Sequence, residues 1–331
     1  MRRRSLLLAT GFAVAAIFVA LVARRMDWAA VAAAWRAASG WHVALAVALL
    51  LAGLAVRTVR WWWMLRALDR TIPLAACVRP FAVSLALNNT LPFRAGDVAR
   101  AVGFRGALRT GASRLVGTLV IERALDAFVL LALFFAGLRG VATGALPDAF
   151  VRAGTVLGGA ALAAILVLLV LPRPVLRLVD RIAAHPRVAS HALLVRALGA
   201  GRALVETLAL VQSPLRALQL LGLSVLAWTL EGLVFVAVAV ALATPVAPAG
   251  PWFALATGTL ATLLPSSPGY VGTFDFFAMT GLTAYGAPRA AAAAHALLVH
   301  VVVWLPPTVV GGLLALAPSL PVRPRAAGDV A

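Results

Sequence analysis

The sequence predicts an all-α polytopic membrane protein with six full transmembrane helices and two oppositely inserted re-entrant helical hairpins. Three observations carry this expectation. Hydrophobic residues make up 63% of the 331 positions and charged residues 12%, where soluble domains sit near about 25% charged; mean hydropathy is +0.99. Apolar residues gather into runs long enough to cross a hydrocarbon core about 30 Å thick, parted by short arginine clusters. Two of these runs are broken midway by proline, glycine and polar side chains. No stretch of domain length has the charge density to surface a soluble unit. Residues 1–331 therefore read as a single integral membrane domain, and both a soluble enzyme on one anchor and a disordered chain are excluded.

Runs of span length lie at Ser5–Ala23, Trp41–Val59, Leu115–Leu138, Ala153–Leu171, Leu215–Ala243 and Ala290–Leu316. The first follows Arg2, Arg3 and Arg4 and is closed by Arg24 and Arg25; its apolar run is longer than that of a signal peptide, so it is expected to be retained. The second leads into Arg57, Arg60, Trp61, Trp62, Trp63 and Arg66, a pattern expected to form an aromatic and basic belt at the membrane surface.

The broken regions are residues 74–104 and 252–284. In the first, Asn88–Asp97 (NNTLPFRAGD) places two amides, an arginine and an aspartate in mid-segment; in the second, Leu263–Gly272 (LLPSSPGYVG) leaves two arms, each about 20 Å long as helix and too short to cross alone. Charge decides between crossing and re-entry. The formal charge of +18 comes from 29 basic residues, all of them arginine. If both regions crossed, most loop arginines would fall outside. As hairpins they leave most of these arginines, including those of 105–114 and 172–214, on the cytoplasmic side with both termini, as the positive-inside rule requires. The hairpins then enter from opposite faces, and their shared Leu-Pro and glycine breaks point to an inverted repeat with a site at the midplane. The connection 172–214 carries apolar and arginine stripes, expected of a helix lying on the inner leaflet or packed on the bundle.

Backbone freed by these breaks needs protein or a wet cavity to satisfy it. Gly96 and Asp97 read as the start of a helix over Val98–Phe104, and Gly272, Thr273 and Asp275 as the start of one running to Thr283; inward-facing helix N-termini favour anions. Arg94 and Arg100 add fixed positive charge suited to phosphate, the bland alternative being that Arg94 pairs with Asp97 and Arg100 snorkels to the surface. Glu122, Arg123 and Asp126 lie within one span, where charges demand partners. Arg123 is placed to hold Asp126, with Arg94 or Arg100 left for Glu122, so Glu122→Gln is expected to spare folding and abolish activity and Asp126→Asn to be milder. Glu231 is a lone acid expected to be satisfied by Thr229 or a neighbouring helix.

Absences narrow the chemistry. Without lysine there is no Schiff base or P-loop, and Cys77, the one cysteine, forms no disulfide or thiolate cluster. His295 and His300 are roughly 140° apart on a helix, too far for a shared metal. Arginine in short clusters between apolar runs argues against nucleic acid. No cofactor is expected.

Four segments, RTVRWWWMLRAL, NNTLPFRAGDVARA, IERALDAFVLLAL and LLPSSPGYVGTFD, in this order and spacing, resemble the flippase-like transmembrane domain family, the domain that forms the N-terminal half of lysylphosphatidylglycerol synthases. Asn88, Pro92, Arg94, Gly96, Asp97 and Arg100 fall on its first motif, Glu122, Arg123 and Asp126 on the second, and Pro265, Ser267, Pro268, Gly269, Gly272 and Asp275 on the third. The resemblance implies a translocating membrane domain without the soluble transferase, and with it a lipid translocase moving an anionic or lipid-linked headgroup across a bacterial inner membrane. Its partners would be phosphate-containing or polyprenyl-linked lipids, and a glycosyltransferase or other lipid-modifying protein. Asn88, Arg94, Asp97, Arg100, Glu122, Arg123, Asp126, Ser266, Ser267, Gly269 and Asp275 are the candidate substrate-binding residues. The alternative is a membrane-embedded enzyme, or its accessory subunit, acting on a lipid-linked sugar or phospholipid; no nucleophile and base pair supports it, so no enzymatic activity is expected.

Overall fold

The computed structural model describes residues 27–91, 94–106, 108, 110–141, 213–263 and 267–317, with isolated positions between 148 and 207. The expected span Ser5–Ala23, most of Ala153–Leu171 and of the connection 172–214, and Pro92, Pro265 and Ser266 lie outside the described residues.

Among the described residues the chain is helical throughout, with no strand: α1 (Trp28–Arg36), α2 (Gly40–Leu68), α3 (Ala75–Thr90), α4 (Ala95–Val102), α5 (Ala112–Leu138), α6 (Pro214–Ala241), α7 (Gly250–Ala261), a 3-10 turn (Pro268–Tyr270), α8 (Thr273–Thr283) and α9 (Arg289–Leu316). Helix is what a chain this apolar must form, because lipid offers backbone groups no partner. Three helices, α2, α6 and α9, are long and apolar enough to cross a membrane. At 27 residues α5 is as long, but carries Arg114, Glu122, Arg123 and Asp126.

α2 runs past the expected Val59 end to Leu68. The arginines that marked an end in the sequence turn inward instead: Arg60 and Trp61 are fully buried, while Trp63 and Arg66 stay outside. The expected interfacial belt is thereby split between the core and the surface of one helix. A large core joins α2, α6, α7, α8 and α9 around Phe235, Leu255 and Leu282; a second joins α2, α3, α4 and α5 around Trp61, Phe81 and Leu115. Leucines and valines on the other faces, among them Leu218, Val240 and Leu313, point outward as lipid-facing residues do.

Both broken regions are pairs of short helices packed on each other, α3 on α4 and α7 on α8. α3 and α4 have 16 and 8 residues, about 24 and 12 Å; α7 and α8 have 12 and 11, about 18 and 17 Å. α4 begins at Ala95, three residues before the expected start at Val98, since Arg94 already serves as its N-cap. The α3–α4 approach needs glycine at 96, where a Cβ would overlap the Ser84 carbonyl oxygen. Gly96→Ala should therefore cost about 1–3 kcal/mol by overpacking against a backbone that cannot turn aside, read as a lower melting temperature in detergent; an unchanged melt would show the pair to be loosely packed.

Candidate functional site

The two breaks meet. Arg94, at the first, donates from Nε to the Tyr270 hydroxyl at 3.1 Å and from Nη2 to Thr262 Oγ1 at 3.2 Å, both beside the second. The Trp304 indole donates to the carbonyl of Asn89 at 3.2 Å, and Asn89 returns bonds to the Trp304 carbonyl and Thr308 hydroxyl. Arg94 (φ 51) and Tyr270 (φ 60) both hold left-handed backbone, which costs an L-residue about 1–2 kcal/mol; such strain is kept where surroundings or function fix it. Gly269 (φ 69) takes the same region without that cost, and a Cβ there would press on the Trp304 ring nitrogen.

Between the breaks lies a cavity of about 210 Å³ whose polar wall includes Arg57, Arg94, Arg123, Asn88, Glu231 and His300 and whose apolar wall includes Leu50, Leu54 and Phe274. Behind it the charges are paired. Arg60 holds Asp126 bidentately at 2.6 and 3.3 Å, and the Ser224 hydroxyl and the Trp228 indole complete that group. Arg100, sandwiched near Trp61 and Phe81, meets Glu122 at 3.0 Å. Arg123 reaches Asp97 at 3.2 Å and Glu122 at 3.3 Å but Asp126 only at 3.9 Å. Arg57 lies on the Trp228 face and donates to Glu231. Asn88 brackets Asp97, donating to its carboxylate and accepting from its amide.

Several expectations are corrected by this arrangement. Arg94 does not pair with Asp97, which is taken by Arg123, Asn88 and, at 3.8 Å, Arg100. Arg100 does not snorkel; it is buried on Glu122. Asp126 is held by Arg60 of α2 rather than by Arg123, because the i,i+3 reach along α5 loses to a guanidinium aimed across the helix interface. The expectation for Glu231 holds in its second form, since a neighbouring helix satisfies it through Arg57. The helix ends are largely capped by the protein itself: the Asp97 amide meets Asn88, and the Gly272 amide meets the Asp275 carboxylate at 2.8 Å. The positive charge offered to the cavity thus comes from side chains more than from helix dipoles.

Of the candidate residues, Asn88, Arg94, Arg123 and Gly269 line the cavity. Asp97, Arg100, Glu122 and Asp126 form the paired shell behind it, and Ser267 spends its hydroxyl on the Val271 carbonyl; Ser266 is outside the described residues. Asp275 acts through His300, whose Nδ1 lies 2.7 Å from its carboxylate and whose Nε2 lies 2.9 Å from the Gly269 carbonyl. Tyr270, Thr262, Asn89, Trp304 and the site role of His300 had no local signal, since each acts across more than a hundred residues of sequence or through a fold-dependent contact.

Around the cavity, Arg57, Arg60, Arg100 and Arg123 share Asp97, Glu122, Asp126 and Glu231, and His300 lies against Asp275. Arg94 has neutral partners, a phenol and a threonine hydroxyl. An all-helical membrane protein with a charged cavity between two broken helix pairs is the class these features define. The chain belongs to the Lysylphosphatidylglycerol synthase TM region family, whose profile matches residues 8–311. Comparison with curated proteins gives no match.

Proposed function

We propose that this protein is a lipid translocase of a bacterial inner membrane, passing an anionic or lipid-linked headgroup through the cavity between the two breaks. The observation that carries the reading is Arg94: a guanidinium on the cavity wall with no carboxylate partner among the described residues, where an isolated charge would be costly unless something anionic visits it. A phosphate accepts two parallel bonds from such a group. The family is the membrane region of lysylphosphatidylglycerol synthases, proteins named for making a modified phospholipid, which supports a lipid as the substrate. Both nitrogens of His300 are engaged, so the Asp275–His300 pair offers no free base for the alternative enzymatic reading.

The two broken pairs are read as oppositely inserted re-entrant hairpins related as an inverted repeat, with termini in the cytoplasm. Residues 105–114 and 172–214 are then cytoplasmic and 244–251 is not. Single cysteines at Ser190 and Ala247 in a Cys77→Ser background test this: an impermeant external reagent should label Ala247→Cys alone, and labelling at Ser190→Cys would overturn the topology. The function itself is tested by reconstituting the protein in vesicles of phosphatidylcholine doped with headgroup-labelled phosphatidylglycerol and following loss of outer-leaflet label. Faster transbilayer exchange than in protein-free vesicles, lost on replacing Arg94, is expected. Exchange at the protein-free rate, with glycerol phosphate failing to bind at the cavity, would overturn it.

A further inference from the structure

We propose that the apolar groove between α2, α3 and α9 holds a hydrocarbon chain of the lipid whose headgroup enters the Arg94 cavity; this rests on the translocase reading and adds where the tail lies. The groove has a volume of about 270 Å³ and shares Leu54, Leu85 and Pro307 with the cavity, so these three side chains are the partition between a charged chamber and an apolar one. The polar side chain on its wall, Thr58, donates its hydroxyl to the Leu54 carbonyl at 2.8 Å, leaving hydrocarbon as the fitting occupant. Its outer lip is Leu51, Leu74, Val78 and Val310, all exposed. Pro306 and Pro307 sit inside α9, where proline removes backbone bonds and bends a helix, at the point where the two chambers touch.

Lipid tails are as apolar as leucine, so the groove gains no hydrophobic free energy over bulk bilayer. Any bilayer chain could lie in it. What it supplies is position: a phosphate at Arg94 carries its own chain past Leu54, Leu85 and Pro307 into the groove and not into the charged chamber. Occupancy should accordingly follow the headgroup.

The test uses the full-length protein in phosphatidylcholine vesicles doped with phosphatidylglycerol bearing a diazirine on one acyl chain, against the same label on diacylglycerol, which has no phosphate. Phosphatidylglycerol is expected to label the groove residues about tenfold more than diacylglycerol, the scale of one charged hydrogen bond, and Arg94→Gln should erase that preference. Ala55→Trp and Val78→Trp, both at exposed positions, should lose the groove labelling while binding glycerol phosphate as the unmodified protein does. Leu226→Trp, exposed on α6 and away from both chambers, should change neither. Equal labelling by both lipids, with glycerol phosphate still bound through Arg94, would reduce the groove to ordinary bilayer contact and leave the translocase reading standing. Retained phosphatidylglycerol preference in both tryptophan variants would likewise overturn the groove. Failure of glycerol phosphate to bind would instead remove the headgroup site, and with it the reading on which the groove depends.

Discussion

Asp126→Asn loses about 3–5 kcal/mol of stability, the cost of stranding one member of a buried ion pair. Arg60 is fully buried, and its guanidinium is matched to both Asp126 oxygens, with Ser224 as the other bonded partner. Asparagine keeps one acceptor but turns an amide donor toward a site already crowded with donors from Arg60 and the Trp228 indole. The expected measurement is a sharply lower melting temperature in detergent and little folded protein in the membrane. Glu122→Gln should be milder, because Arg100 keeps Asp97 at 3.8 Å and the faces of Trp61 and Phe81. The sequence expectation ranked the two by activity, with Glu122→Gln the more severe because Arg123 was to hold Asp126; on stability the larger loss falls at Asp126→Asn. The double variant Arg60→Leu/Asp126→Leu removes both charges together and should recover most of the loss, since well-packed apolar residues often replace a buried pair without penalty. A melt of Asp126→Asn indistinguishable from the parent would show that Arg60 finds its counter-charge elsewhere.

Arg94→Gly separates stability from function in the opposite way. Glycine removes the guanidinium and also relieves a residue held at φ 51, returning about 1–2 kcal/mol of strain against the two hydrogen bonds lost to Tyr270 and Thr262, each about 1 kcal/mol. The fold should therefore melt within about 1 kcal/mol of the parent. Binding of glycerol phosphate and lipid exchange should both fall by about a hundredfold, the scale of one bidentate charge-assisted contact. Arg94→Lys should recover only part of this, because a point charge cannot offer two parallel donors. Full exchange by a well-folded Arg94→Gly would return the residue to a purely structural role, and the cavity would need another cation.

How much of this was legible beforehand differs between the fold and the site. Composition, run length and the arginine clusters were enough to set the chain in a membrane as helices, because lipid permits few other ways to satisfy a backbone. The breaks at Asn88–Asp97 and Leu263–Gly272 were visible as proline, glycine and amides inside apolar runs. Gly272 and Asp275 were recognisable as the start of α8 because capping is a local interaction between residues three apart. Helix ends set by packing were less legible: α2 continues through Trp61 and Arg66 because its arginines have somewhere inside to go.

Most partners were decided by tertiary structure. Demand for a counter-charge pointed to Arg94 or Arg100 for Glu122, and Arg100 takes it; spacing otherwise offered Arg123 to Asp126 or Arg94 to Asp97, neighbours along one segment, whereas Arg60 with Asp126, Arg57 with Glu231 and Asp275 with His300 join different helices. A buried charge is satisfied by whichever opposite charge the packing brings within about 3 Å, because a contact that is both charged and hydrogen-bonded is stronger than the Coulomb attraction of a more distant group alone. The sequence determined that charges must lie buried among these helices; only the packing of α2, α5 and α6 decided which of them cancel, and so left Arg94 facing the cavity beside neutral partners.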